Sequence, residues 1–302
     1  MAVTNVLGDV AIGLAASFAT TYLIALGHSV FEKAGMLDLA IDGVFFMSTG
    51  VAVAGALLSN SPLVGSIAAA VAAGLVGLLM AIAMTALPIS HGALGLSFMF
   101  VGYGIGIMIG YPVRRAVGNI SAFSYPPTAI YYVAAVAAAL AIGILIELML
   151  SKTKLGAAIR ACGESPHAAM ALGVDVMKIR ALAGFLGFAI LGLGASLFPL
   201  LWYHYWDIKS YLLGFGWLAF TVALSAGRHP LVLMPLSLLF GGLFNYYIRL
   251  GALFGISADL AKAIPFAFAL IAMLAYSKTS LGRTLLPPAS LGKIFYREER
   301  TI

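Results

Sequence analysis

Charge is what this sequence has least of. Of its 302 residues, 9% are Asp, Glu, Lys or Arg and 62% are hydrophobic, whereas soluble domains run near a quarter charged. So few charges exclude a water-soluble fold of this size, because they could not cover its surface. Cysteine occurs once, as Cys162, which excludes an intrachain disulfide. There is no GxxxxGK[ST] phosphate loop, no HExxH and no Cys/His cluster at metal-ligand spacing. The five histidines, His28, His91, His167, His204 and His229, fall in different segments. The chain thus shows no catalytic residue, no metal site and no cofactor site of its own.

What is present is apolar sequence in long runs. Lipid is the solvent that suits it, and in lipid every backbone group must be satisfied within a helix or a closed barrel. The runs are about 16 to 24 residues long and rich in Ala, Leu and Gly, which suits helices. Shorter alternating segments would mark a barrel. Nine segments are expected, at roughly 9–30, 36–58, 63–86, 93–111, 128–150, 180–203, 211–226, 231–249 and 260–276. The fold class is therefore an all-α integral membrane protein, a polytopic bundle forming one transmembrane domain over 1–302. The first segment lacks a basic leader and reads as a membrane helix rather than a cleaved signal peptide.

Two polar stretches remain, the loop 151–179 and the tail 277–302. The formal net charge of +6 comes from 17 basic residues against 11 acidic ones, and the basic residues lie between apolar runs. That placement reads as topology rather than nucleic-acid binding. With the 151–179 loop in the cytoplasm, twelve Lys and Arg fall on that side and five on the other, as the positive-inside bias requires. The N-terminus is then outside and the C-terminus cytoplasmic. Lys293, Arg297 and Arg300, with Phe295 and Tyr296, read as a basic anchor on the membrane surface.

Several local patterns have structural consequences. Gly102, Gly106 and Gly110 lie four apart, on one helix face, and let another backbone approach closely. The short segment 211–226 contains Gly214 and Gly216 and reads as a broken helix of the kind that lines a path through a membrane. Asp38 and Asp42 are also four apart, hence on one helix face, just inside an apolar run. They either face a cavity or sit at a helix N-terminus near the interface. Glu147 reads as interfacial. Trp202, Tyr203, Tyr205, Trp206 and Tyr211 read as an aromatic belt, with a stacking surface as the other possibility. The run Ser151–Gly156 is echoed by Ser277–Gly282, consistent with an internal repeat.

The 151–179 loop is the most informative stretch. Ser165 is a good N-cap, Pro166 a good first helical residue, and Ala168, Ala169 and Ala171 are strong helix formers. Glu164 adds negative charge at the helix start, and Gly173 can close the helix with a left-handed residue. A surface helix of about 8 residues, on the order of 12 Å long, is predicted. It reads either as an ordinary capped helix or as a docking knob for a partner.

This stretch resembles the coupling loop of permeases of ATP-binding-cassette importers, in the family serving branched-chain amino acids, simple sugars and nucleosides. The family pattern, T-x-L-G-x-A-x-R-A-x-G-E-N-P-x-A-A-x-x-x-G-[IV], is matched at Thr153, Leu155, Gly156, Ala158, Arg160, Ala161, Gly163, Glu164, Pro166, Ala168, Ala169, Gly173 and Val174. Ser165 stands where Asn is usual. A second stretch, Ala25–Gly43, is similar to nucleoside-type permeases at Glu32, Gly35 and Gly43, and departs from them at Asp38, Ala40 and Asp42. The resemblance covers most of residues 22–280.

The resemblance implies a permease subunit forming half of a pathway for a small polar solute, a nucleoside first and then a sugar or branched-chain amino acid. It implies that Arg160, Glu164, Ser165, Pro166, His167, Ala168, Ala169 and Gly173 couple the chain to an ATP-binding-cassette ATPase, which hydrolyses ATP in its stead. A second, related permease chain (a heterodimer), an extracytoplasmic solute-binding protein and membrane lipid complete the expected partners. The expected location is a prokaryotic plasma (inner) membrane. Asp38 and Asp42, together with Ser97, where the family often carries Asn, are the path candidates. The alternative is an ion-coupled secondary transporter using Asp38 and Asp42.

Overall fold

A computed structural model describes residues 2–117, 129–208, 214–277 and 285–296. The described residues form helices and connecting turns. In chain order these are α1 (Ala2–Lys33), α2 (Ile41–Ser59), α3 (Pro62–Ala86), α4 (His91–Val117), α5 (Ala129–Lys152), α6 (Lys154–Glu164), α7 (Pro166–Ala171) and α8 (Val176–Leu197). A π-turn, Phe198–Trp202, extends α8, and α9 (Phe215–Ser225), α10 (Pro230–Asn245), α11 (Tyr247–Phe254), α12 (Ala258–Ala261) and α13 (Ile264–Ser277) follow.

Helices overlap the expected apolar segments, but the described residues give fewer than nine membrane spans. Among the described residues, six helices are long and apolar enough to cross a membrane, and α10 with α11, bent by 64°, makes a seventh if counted as one span. The 11 residues of α9 reach only about 16 Å at 1.5 Å per residue, short of the roughly 30 Å hydrocarbon layer. Gly214, in the left-handed region at φ +77°, sets where α9 begins.

The core is where α1, α2, α8 and α9 meet, filled by Tyr22, Phe31, Phe45, Phe46, Phe188 and Phe215, all fully or nearly fully buried. Close helix crossings are made by glycines meeting backbone. A Cβ on Gly27 of α1 would lie 2.2 Å from the Gly187 carbonyl oxygen of α8, and one on Gly77 of α3 would lie 2.3 Å from that of Gly184. The Gly102, Gly106 and Gly110 face packs as its spacing requires: Gly102 rests on Gly43, Gly106 on Phe46, and Gly110 under the Trp206 ring. Large apolar side chains stay exposed on α3, α4 and α5, among them Leu79, Phe100, Met108, Val133 and Leu145. That surface suits lipid or another apolar chain rather than water.

Several turns meet at one end of the bundle. The α1–α2 turn, the α6–α7 pair, the start of α8, the α9–α10 turn and the segment 285–296 all touch there.

Candidate functional site

The 151–179 loop holds two helices in place of the single one expected. The Thr153 hydroxyl accepts from the Gly156 amide at 3.1 Å and starts α6. Ser165 ends α6 and starts α7: its amide donates to Ala161 O at 2.9 Å, and its hydroxyl accepts from the Ala168 amide at 3.3 Å. Pro166 disfavours helical geometry at the preceding residue, and Ser165 is extended (φ −151°, ψ 99°). The two helices therefore join at a corner instead of fusing. Gly173, at φ +84°, closes α7.

The pair is two-faced. Ile159, Cys162, Pro166 and Ala169 are buried underneath. Arg160, Glu164, Ala168 and Gly173 are exposed, and so are two apolar residues, Met170 (39%) and Leu172 (84%). His167 is half-buried, its ring 5.0 Å from that of Phe295. Burial pushes the Cys162 thiol above its ordinary value, so it stays protonated and unreactive at neutral pH. Asp175 caps α8, its carboxylate accepting from the Lys178 amide at 3.1 Å. That bond and the Lys178 ammonium hold it below the usual carboxylate range.

The tail departs from the reading as a surface anchor. Phe295 is 6% exposed and packs with Cys162, Ala169 and Val176 beneath the helix pair. The reason is chemical: a phenyl ring finds more apolar contact there than at an aqueous boundary. Lys293 and Tyr296 are exposed; Arg297 and Arg300 lie outside the described residues. Before Phe295, the Ser290 hydroxyl donates to Gly163 O at 2.6 Å, and the Ser290 amide donates to the same oxygen at 2.9 Å. The Ala289 amide donates to the Glu164 carboxylate at 3.3 Å, and the Gly292 amide to Gly35 O at 3.2 Å. A groove of about 870 Å³ opens beside Phe295 and Tyr296, lined also by Thr85, Met170, Val174 and Lys178.

Behind this surface lies a buried polar network. His28 Nδ1 is 2.9 Å from the Asp38 carboxylate, and His28 Nε2 is 3.2 Å from that of Glu32. Glu32 is ion-paired with Arg228 of the α9–α10 turn. Arg180 of α8 is wholly buried and donates through Nε to Ala34 O at 3.1 Å. Asp38 and Asp42 do not share a helix face. Asp38 precedes α2, and its carboxylate accepts from the Ala40 amide at 2.8 Å, a local turn that delays the helix to Ile41. Asp42 accepts from Tyr103 Oη at 2.5 Å and from the Gly216 amide at 2.7 Å, at the start of α9. Ser97 sits on the exposed face of α4, its hydroxyl bonded to Ala93 O at 2.9 Å. Glu147 is partly buried, 3.9 Å from His229.

Trp202 and Trp206 turn inward rather than joining a belt, while Tyr205 stays exposed. Trp202 donates to Asn245 at 2.7 Å and Trp206 to Thr49 at 3.1 Å. Trp206 is 2% exposed, and Phe198, Phe215 and Phe244 pack around Trp202. The π-turn carries Phe198 and Trp202, which pack against each other. Tyr211 lies outside the described residues, as does the second copy of the Ser151–Gly156 echo after Ser277.

Sequence reasoning gave no role beyond topology to Arg180 and Arg228 and none to Ser290, and it read Phe295 as part of a surface anchor. The two arginines adjoin apolar runs, a position in which a charge usually has a partner. Ser290 carries no local signal, and the basic residues around Phe295 point to the surface rather than to the cluster that buries it. Among known proteins, the family model described as "Branched-chain amino acid transport system / permease component" matches residues 10–284. No curated protein and no solved structure gives a match.

Proposed function

The chain belongs to the permease components of the branched-chain amino acid transport system family, and from that membership we propose that it forms half of the membrane pathway of an ATP-binding-cassette importer. ATP hydrolysis belongs to a separate ATPase subunit of such systems. The observation that carries the coupling role is the α6–α7 pair, with Arg160, Glu164, Ala168, Met170, Leu172 and Gly173 on its open face. Exposed Leu172 and Met170 on a polar, rigidly capped corner are what a partner's apolar groove would take. In this reading the pair docks into the ATPase, the 151–179 loop is cytoplasmic, and the C-terminus lies on the same side.

A second, related permease chain completes the pathway, and an extracytoplasmic binding protein delivers the solute. The exposed Ser97 face of α4 supports a path built between two chains, since no single chain encloses it. Asp38 and Asp42 have protein donors on their carboxylates and serve the path by fixing α2 against α1, α4 and α9. The solute is a nucleoside by the likeness of the Ala25–Gly43 stretch, ahead of a sugar or branched-chain amino acid. The membrane is a prokaryotic plasma membrane.

The test is purification from the native membrane in mild detergent, with and without Leu172→Glu. An ATPase subunit retained by the parent and lost from the variant is the expected result. A chain recovered alone, accumulating solute in liposomes under an ion gradient, overturns the reading.

A further inference from the structure

We infer that the segment 285–296 is a positioning strap that lets the coupling helices pull, as well as push, on the α1–α2 turn. The inference rests on the reading of α6–α7 as the ATPase-docking element.

Without the strap, α6 meets α1 by close packing. A Cβ on Gly163 would lie 2.2 Å from Lys33 O, so backbone rests on backbone. Such a contact resists compression, because overlap is steeply repulsive, but it resists separation only weakly. The strap is bonded on both sides of that contact. Ser290 holds Gly163 O through its amide and its hydroxyl, and Ala289 holds Glu164. Two residues on, Gly292 holds Gly35 O, beyond the end of α1.

The fit is tight on the α1 side as well. Gly35 is left-handed at φ +83°, and a Cβ there would lie 2.3 Å from the Ser290 hydroxyl oxygen. Phe295 anchors the far end of the strap in the apolar cluster under α7, with the Arg180 guanidinium 5.6 Å from its ring. Arg180 in turn holds Ala34 O. At its start the strap touches the α9–α10 turn, where a Cβ on Gly227 would lie 2.5 Å from Leu285 O.

A displacement of α7 in either direction therefore reaches the α1–α2 turn. From there it reaches two contacts that hold the membrane helices: Glu32 with Arg228, and Asp42 with Tyr103 and Gly216.

The experiment uses the double variant Ser290→Ala/Phe295→Ala, with Tyr296→Ala as a control on an exposed neighbour. Cys162, the single cysteine, is fully buried against Phe295 and reports whether the strap is seated. Maleimide labelling of Cys162 should rise about tenfold in the double variant, equivalent to ~1.4 kcal/mol of local opening. It should not change in the control.

Coupling is then read in a Cys162→Ala background, with spin labels at Leu58 and Leu253, both highly exposed. In the parent bound to its ATPase, trapping with ATP and vanadate should shift the distance between the labels. In the double variant the ATPase should stay bound and hydrolyse ATP, and the shift should be lost. A shift of parental size in the double variant overturns the strap. So does loss of the bound ATPase, which would make 285–296 part of the docking surface instead. A parent that retains no ATPase, or shows no shift, overturns the underlying functional reading.

Discussion

Glu32 and Arg228, 196 positions apart in the chain, form an ion pair at side-chain exposures of 0% and 6%. The carboxylate also lies against His28 and accepts from the Asp38 amide. Removing one partner strands a buried charge. Glu32→Gln or Arg228→Met should each destabilise the protein by about 3–5 kcal/mol. The double variant should recover part of that loss, because neither charge is then left alone. Thermal melting in detergent checks it: additive losses would mean that the two charges do not depend on each other.

The helix crossings predict a contrast within α4. Gly102→Ala places a methyl 2.5 Å from the Gly43 backbone and should cost about 1–3 kcal/mol through overpacking. Gly104→Ala, two residues away, meets nothing within 4 Å and should be neutral or stabilising by roughly 0.5–1 kcal/mol. Equal melting temperatures for the two variants would contradict the packing of α4 on α2.

The corner at Ser165 makes a third prediction. Ser165→Ala removes the acceptor for the Ala168 amide, at a cost of about 1 kcal/mol for the helix start. Hydrogen exchange over 166–172 should quicken about fivefold, while Ser165→Asn, another good cap, should leave it unchanged.

The start of α8 should respond to acid. The Asp175 carboxyl is held below its ordinary range by the Lys178 amide and ammonium. Its contribution is thus present above the unfolded carboxylate value and fades as pH falls through the lower folded one. The protection of the Lys178 amide, measured against its intrinsic exchange rate at each pH, should fall on acidification, and Asp175→Asn should flatten that dependence.

Much of this architecture is written locally. Ser165, Pro166 and Gly173 specify the ends of α7 through interactions within eight residues, and Gly214 with Gly216 mark the broken segment. Gly102, Gly106 and Gly110 state their face through spacing alone. Other features depend on partners far along the chain. Phe295 looks like an anchor until Cys162, Ala169 and Val176 surround it. Trp206 looks like part of a belt until Thr49 and Gly110 receive it. Asp38 was expected on a helix because its bond to the Ala40 amide, two residues on, competes with helix formation in a way that spacing does not reveal. Of the nine hydrophobic segments expected, six correspond to helices long and apolar enough to span among the described residues, and the bent pair makes up to seven. Hydropathy finds apolar runs but does not fix where a chain breaks, so α9 came out at 11 residues.

The order in which the chain is made adds a meaning to the strap. Ser290 bonds to Gly163, 127 positions earlier, and Gly292 to Gly35 near the start. These contacts cannot form until the segment after α13 has been synthesised and the helices before it have been inserted. Contacts so distant in sequence close late in folding. A half-made chain would present α7 without Phe295 beneath it, so a partner that reads the finished surface would also be reading whether the strap has been made and seated.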